Sequence, residues 1–216
     1  MKLVDQTRDG LIAYTCAQVA NLVPDGRDEP LRSLIGAHLD EALERLKTCI
    51  DQVRWWTPDQ FSYLHSSQYC IYLYYLANTI YRNGGDPAAC AKLFLLNKAL
   101  NGIDLFYEIE MPKVFFIGHS VGIVLAKATY GEKLILYQNS TVGKNHGVAP
   151  VLGEGVVMYP NTAIIGRCTI GDRTIVSQGA GIVNQDTPGD CMAYPGQNGK
   201  LVFKPSKRDV LADIFR

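Results

Sequence analysis

The second half of the chain repeats every six residues from Leu105 onward. Divided into sixes it reads LFYEIE, MPKVFF, IGHSVG, IVLAKA, TYGEKL, ILYQNS and TVGKNH, then a short interruption, GVAPV, then LGEGVV, MYPNTA, IIGRCT, IGDRTI, VSQGAG and IVNQDT. Nearly every first position is Leu, Ile, Val, Met or Thr. A repeat this regular over thirteen units is typical of solenoids, in which short strands stack about 4.8 Å apart and each apolar anchor enters a continuous core. The pattern therefore predicts a parallel β-helix.

The first half, residues 1–102, has a helical period instead. Apolar residues in GLIAYTCAQVANLV and SLIGAHLDEALERLKTCIDQV recur at intervals of three and four, so each helix has one apolar stripe. Capping residues place a helix start at Thr57–Asp59, a stop at Asn83–Gly84, a start at Asp86–Pro87 and a stop at Asn101–Gly102. These signals predict a bundle of about four helices.

Together the two patterns predict an α+β protein with two domains and a tail. An N-terminal α-helical bundle (residues 1–102) precedes the solenoid (residues 103–203), and residues 204–216 form a C-terminal tail. Each of the two domains is long enough to bury a core of its own.

Composition excludes several classes of function. With 47% hydrophobic residues, 19% charged residues and a formal net charge of zero, the chain offers no broad charged surface for nucleic acid or an anionic membrane. No run approaches the roughly 18 apolar residues of a membrane span. Six cysteines without CxxC pairs and an N-terminus without signal-peptide order indicate reduced thiols in the cytoplasm. A small neutral metabolite is therefore the expected ligand.

One stretch of the solenoid carries a more specific motif. GHSVGIVL (residues 118–125) contains a lone histidine, His119, and Asp104 lies fifteen residues ahead of it in Ile103-Asp104-Leu105. The sequence from about Tyr74 to Val202 resembles the serine O-acetyltransferases, in which Val-Asp-Ile precedes Asp-His-Ala-Thr-Gly-Ile-Val-Val at the same interval. The resemblance implies a left-handed parallel β-helix with three hexads per coil and an acetyl-CoA-dependent transferase activity.

The histidine and the aspartate suit that chemistry. An alcohol at neutral pH needs a base that removes its proton as it attacks a thioester, and imidazole has a suitable pKa. As the third residue of its hexad, His119 is expected to point outward, and Asp104 would accept the other ring N–H and fix the tautomer. We expect direct transfer without an acyl-enzyme, with the oxyanion held by backbone N–H groups or a polar side chain.

The final coils resemble those that line the coenzyme A groove in this family. The resemblance implies that five residues lie near the pantetheine arm: Asn161, Thr162, Ala163, Gly179 and Ala180. In GKLVFKPSKR a cluster of cations, among them Lys204 and Lys207, either holds the coenzyme phosphates or is an ordinary solvated face. No metal is expected. The zinc-dependent carbonic anhydrases of similar fold need three histidines, whereas this solenoid has His119 and His146 alone.

The acceptor is less well defined by the sequence. Gly118 stands where the family has the aspartate that grips the serine amino group. His146 matches approximately a histidine in the family's longer loop, and it is either a substrate-binding residue or an ordinary loop histidine. A second serine-binding carboxylate is Asp51, Asp59 or neither. Serine is the first expected acceptor, and the alternative is a sugar or amino sugar in surface polysaccharide biosynthesis.

The resemblance also implies partners. Family solenoids assemble as trimers, so we expect a homotrimer, either alone or as a pair of trimers joined through the helical half. The tail ends in Asp213-Ile214-Phe215-Arg216 rather than in the isoleucine that docks into cysteine synthase, which argues against binding to that enzyme. A non-enzymatic trimeric scaffold is the remaining alternative, and the pairing of His119 with Asp104 argues against it.

Overall fold

The computed structural model describes residues 1–197 and 200–216. The chain forms two compact units, one made of Met1–Gly102 with Phe106–Glu108 and the other of Ile103–Leu105 with Ile109–Arg216. In the described ranges no helix is long and apolar enough to cross a bilayer. All six cysteines are free thiols and are buried.

Four helices and two short parallel strands form the first unit. The elements are β1 (Lys2–Leu3), α1 (Arg8–Leu22), α2 (Asp28–Gln52), β2 (Gln60–Phe61), α3 (Ser66–Arg82) and α4 (Pro87–Asn101). Helix α3 is the central one, because every residue from Ser67 to Ile80 is buried. The predicted four-helix bundle is confirmed.

The capping signals located most of the helix ends. Helix α4 begins where predicted, with the Asp86 carboxylate accepting the Ala88 N–H, and ends at Gly102 in the left-handed conformation (φ 64°). The start predicted at Thr57 is wrong, because α3 begins at Ser66. Asp59 has a left-handed backbone (φ 59°), and the next two residues pair with β1 instead of entering a helix.

Short strands in the second unit stack into three sheets that form the walls of a solenoid. Sheet 1 contains β4 (Phe115–Ile117), β7 (Leu134–Leu136), β10 (Val157–Met158), β13 (Ile175–Val176), β15 (Cys191–Pro195) and β16 (Leu201–Pro205). Sheet 2 contains β3 (Asp104–Leu105), β5 (Val124–Leu125), β8 (Thr141–Gly143), β11 (Ala163–Ile165) and β14 (Gly181–Val183). Sheet 3 contains β6 (Thr129–Tyr130), β9 (Val151–Leu152) and β12 (Thr169–Ile170). Strands from successive coils pair in parallel, and the antiparallel β15–β16 hairpin ends sheet 1.

Hexad anchors fill the core, with one slip of register. From Leu152 to Ile182 every sixth residue is an almost fully buried anchor, as the repeat predicts. Between residues 129 and 141 the anchors lie one position later than predicted, and they are Tyr130, Leu136 and Val142. The slip of one position arises because the first coil has eight residues from the sheet 1 anchor Ile117 to the sheet 2 anchor Leu125, and then five to the sheet 3 anchor Tyr130, where the repeat predicts six and six.

The segment predicted as a tail belongs to the second unit. Strand β16 continues to Pro205, and α5 (Val210–Ile214) follows with Asp209 as its N-cap. The side chains of Ile214 and Phe215 are buried. Gly155, at a corner of the solenoid, has no room for a Cβ because Leu211 of α5 lies against it.

We expect Ile164→Ala to lower the free energy of unfolding by about 2–5 kcal/mol, because it removes a fully buried anchor between Val142 and Ile182. The neighbouring Ile165→Ala is the matched control, since Ile165 is only half-buried, on the outer face of the same strand. Urea unfolding followed by circular dichroism measures both. Equal losses for the two variants would contradict the assigned register.

Candidate active site

Most of the predicted site residues lie along one edge of the solenoid, where sheet 1 turns into sheet 2. We call this the site edge, and it comprises residues 118–124, 137–141, 159–163 and 177–181 of four successive coils. The predicted residues that it contains are Gly118, His119, Asn161, Thr162, Ala163, Gly179 and Ala180. Asp104 borders it from the first strand of sheet 2.

His119 lies in a bulge that is specific to the first coil. In each of the coils a left-handed residue turns the chain into sheet 2, and in the first coil this residue is Gly122 (φ 77°), stacked on Asn139 (φ 58°). The extra two residues of that coil therefore fall within Gly118–Val121. The Ser120 carbonyl accepts the Ile123 N–H at 3.1 Å and closes the bulge. The His119 side chain is exposed.

Backbone hydrogen bonds tie Asp104 to this bulge. Its N–H donates to the carbonyl of Ile123 at 2.8 Å, and Asp104 pairs with Val124 across the first rung of sheet 2. The Asp104 side chain is half-buried. The strand that carries the carboxylate is thus fixed directly beside the chain that leaves the histidine bulge.

A row of outward residues continues from Asp104 along sheet 2, and from Val124 onward each residue is smaller than the one before. Through the strand pairing the row reads Asp104, Val124, Thr141, Ala163 and Gly181. The residue that follows each of them is buried, so the row faces outward. Four intervals of about 4.8 Å make the row about 19 Å long. At its end, a Cβ on Gly181 would contact nothing in the described part of the chain. Val124, Thr141 and Gly181 were not predicted as site residues.

The predicted coenzyme residues differ in what they expose. Thr162 is 2% exposed and its hydroxyl donates to the Tyr159 carbonyl at 2.8 Å, and Ala180 is 1% exposed, so both side chains face the core. Asn161 is exposed and accepts a hydrogen bond from the Asn139 amide at 2.9 Å. Gly179 opens to free space. Only the outward residues offer side chains or bare backbone to a ligand.

Sequence reasoning missed an aromatic column on the same edge. A Cβ on Gly118 would lie 2.6 Å from Cδ1 and Cε1 of Tyr137, so the Tyr137 ring covers Gly118. Tyr137 stacks in turn on Tyr159, with ring centroids 5.6 Å apart and planes at 25°. Burial raises the pKa of the Tyr137 phenol, and the neighbouring Tyr159 adds to that shift. Tyr137 and Tyr159 each directly follow a sheet 1 anchor, Leu136 and Met158. In the predicted register Tyr137 was the third residue of its hexad and Tyr159 the second, so the sequence did not align them.

The column ends at a cationic cavity. In the next coil, Ser177 occupies the position equivalent to Tyr159, and its N–H donates to the Ala193 carbonyl. Because Val176 pairs with Ala193, the residue after each of them is also aligned, and Tyr194 lies at the far end of the column. A cavity of about 510 Å³ opens there, and its lining includes Tyr194, Lys204 and Lys207. The Lys204 ammonium lies 5.8 Å from the centroid of the Tyr194 ring. The structure therefore brings the two predicted lysines together, about four coils from His119.

Other candidate residues lie elsewhere. His146 (φ 48°) is exposed at the tip of a two-residue hairpin turn between Asn145 and Val148, on the corner between sheets 2 and 3, so within one chain it is not part of the site edge. Asp51 and Asp59 belong to the first unit, where both pair with Lys47 at 2.6 and 3.3 Å.

Helices followed by a solenoid with three hexads per coil define the class of hexapeptide-repeat β-helix proteins. Among solved structures, the chain is similar to serine acetyltransferase from Neisseria gonorrhoeae (TM-score 0.73, 17% identity, 97% of this chain and 84% of that chain covered). It is also similar to the enzyme from Vibrio cholerae O1 biovar El Tor (0.71, 15%, 94% and 82%) and to soybean serine acetyltransferase complexed with serine (0.61, 21%, 92% and 85%).

Sequence comparison adds no relative, since no protein-family model and no curated protein matches the chain. The structural likeness establishes the fold, an N-terminal helical domain followed by a left-handed parallel β-helix. The predicted fold class is confirmed.

We expect Gly122→Ala to be more destabilising than Gly179→Ala. Both glycines have left-handed backbones, which costs an alanine about 1–2 kcal/mol. At Gly122 the added methyl also meets the Asn139 amide, which is held by Asn161, whereas at Gly179 it meets nothing within 4 Å. Urea unfolding of the two variants measures the difference, and a smaller loss for Gly122→Ala would contradict the packing described for the bulge.

Proposed function

We propose that the protein is an acetyl-CoA-dependent O-acetyltransferase that transfers the acetyl group directly to an acceptor hydroxyl, with His119 as general base and Asp104 as its partner. One observation carries the proposal: an exposed imidazole occupies a bulge found in one coil, and the strand bearing a carboxylate is hydrogen-bonded to the end of that bulge. The fold shared with solved serine acetyltransferases supports the reaction class.

In the proposed reaction the imidazole of His119 removes the proton of the acceptor hydroxyl as its oxygen attacks the thioester carbonyl. The carbon–sulfur bond breaks, and the imidazolium returns the proton to the leaving sulfur. Asp104 accepts the other ring N–H, which fixes the tautomer and stabilises the transient positive charge. The products are an acetyl ester and the free thiol of coenzyme A.

The site edge is suited to the co-substrate. The outward row from Val124 to Gly181 leaves a shallow uncharged track that can take the pantetheine arm, with Asn161 and the bare backbone at Gly179 beside it. Lys204 and Lys207 lie at the far end, where cations can bind the phosphates. The length of the track is the distance between a thioester bound at His119 and phosphates bound at the lysines.

Serine is the first acceptor to test, because the solved soybean enzyme of this fold was obtained in complex with serine. A sugar or amino sugar is the second candidate. It is favoured by Gly118, which offers no carboxylate for an amino group and is covered by the ring of Tyr137.

We also propose a homotrimer, either alone or paired with a second trimer through the helical domains. Val151 and Val183, which are exposed on two outer faces of the solenoid, are available for contact between copies. In such an assembly His146 would reach a site edge of a neighbouring copy rather than its own. Light scattering that returns the mass of a single 23.9 kDa chain would contradict this assembly.

We expect His119→Ala to lower kcat by about 10²- to 10⁴-fold, because a positioned base contributes about that much. Asp104→Asn should cause a smaller loss, and His119→Gln controls for side-chain volume. Thiol release from acetyl-CoA is followed against L-serine, L-homoserine and nucleotide amino sugars. If His119→Ala acetylates any accepted substrate as fast as the unaltered protein, the base assignment is wrong.

We expect Lys204→Gln combined with Lys207→Gln to raise KM for acetyl-CoA about tenfold with little change in kcat, since the lysines would contact a part of the co-substrate remote from the reacting carbonyl. Lys98→Gln is the matched control, because Lys98 lies at the same 5.8 Å from an aromatic ring, that of Phe94, in the helical unit. An unchanged KM in the double variant would remove the lysines from the binding site.

A further inference from the structure

The site edge carries almost no charge. Its three later segments read YQNST (137–141), YPNTA (159–163) and SQGAG (177–181), and none contains an acidic or basic residue. In the first coil, GHSVGIV (118–124), His119 is the one residue with a titratable ring. A zwitterionic acceptor such as an amino acid therefore meets no carboxylate, lysine or arginine on these coils, and Asp104 at their border is assigned to His119.

The ring of Tyr137 cannot take the place of a carboxylate. A cation binds the face of an aromatic ring, where the quadrupole is negative. One face of Tyr137 is stacked on the ring of Tyr159, and the Cδ1–Cε1 edge of the ring lies against Gly118. The polar contact that this side chain offers a ligand is the phenol hydroxyl. Because burial raises the pKa of this phenol, the hydroxyl stays a neutral hydrogen-bonding group.

The same edge contains neutral polar atoms that lack partners. Gln138 Oε1 and Ser177 Oγ are buried side-chain atoms with no hydrogen bond to any described residue. Gln138 directly follows Tyr137, and Ser177 follows Tyr159 in the column, so both residues adjoin the tyrosine pair. Both side chains are neutral, so they add polar groups and no charge to this edge.

We infer that the acceptor is a neutral saccharide and that Tyr137 is the residue that selects it. The inference rests on the proposed acetyltransferase function. The Tyr137 ring fills the volume that a carboxylate side chain at position 118 would need, and the edge beside His119 is left with neutral hydrogen-bonding groups. The sugar hydroxyl loses its proton to His119, its oxygen forms the new ester bond, and the thioester sulfur leaves as the thiol.

The test compares acceptor preference in four proteins. The unaltered chain, Tyr137→Phe, Tyr137→Ala and the double variant Gly118→Asp with Tyr137→Ala are assayed by thiol release from acetyl-CoA. The acceptors are L-serine and the methyl glycosides of glucose, galactose, mannose and N-acetylglucosamine. Circular dichroism verifies that each variant keeps the fold.

The unaltered chain should acetylate at least one glycoside with a higher kcat/KM than L-serine. Tyr137→Ala should lose about tenfold in kcat/KM for that glycoside, the value expected when an aromatic contact is removed. Tyr137→Phe should still reject L-serine, because the ring volume remains. The double variant, which exchanges the ring for a carboxylate, should gain activity on L-serine relative to Tyr137→Ala.

Two results would overturn the inference in distinguishable ways. Turnover of L-serine in preference to every glycoside would refute the saccharide acceptor and leave the transferase standing. Absence of thiol release with every acceptor would refute the transferase and the inference together. An acceptor preference that is the same in Tyr137→Ala and the unaltered chain would show that Tyr137 does not select the acceptor.

A stability measurement tests the Gly118–Tyr137 contact without any activity. Gly118→Ala should destabilise the chain, since its methyl would lie 2.6 Å from ring carbons that are fixed by stacking on Tyr159. In Tyr137→Ala the same substitution should cost much less. Additive effects in this double-mutant cycle would show that the ring does not occupy the position-118 volume and would overturn the inference.

Discussion

Parallel backbone hydrogen bonding between successive coils is the constraint on which the second unit depends. Each strand is only two or three residues long in most coils, so no single coil can bury its own apolar surface. Stacking turns isolated anchors such as Val142, Ile164 and Ile182 into a continuous core. The same stacking converts equivalent positions of successive coils into straight columns on the surface, which is how residues far apart in sequence form one site edge.

A local departure from this regularity produces the histidine bulge on which the proposed function rests. Two additional residues cannot enter the first coil without leaving the wall, because Ile117 and Leu125 must both keep their places in the core. The excess chain loops outward and takes His119 with it. The neighbouring rung still pairs normally, so Asp104 remains fixed against Ile123. A rigid wall thus presents a histidine and a carboxylate-bearing strand without any need for a mobile loop.

The sequence predicted the helical bundle, the solenoid, most of the helix caps and the anchor register from Leu152 to Ile182, because each of these is a local pattern with a short period. It misplaced the start of α3, since the pairing of Gln60–Phe61 with β1 is a long-range contact that overrides the capping signal at Thr57. It also missed Tyr137, because the covering of Gly118 depends on which residue of the next coil stacks above it.

Sequence alone therefore determined the class of fold and singled out His119 and Asp104, since a six-residue period and a fixed fifteen-residue interval are both readable along the chain. Only the tertiary structure decided which residues share an edge. It placed the predicted coenzyme residues on the same edge as the histidine bulge and the lysine pair about four coils away from it, and it placed His146 on another corner. The physical reason is that the number of residues in each coil decides which residues stack on one another at the surface. One or two additional residues in a coil therefore change which residues are neighbours in the adjacent coils.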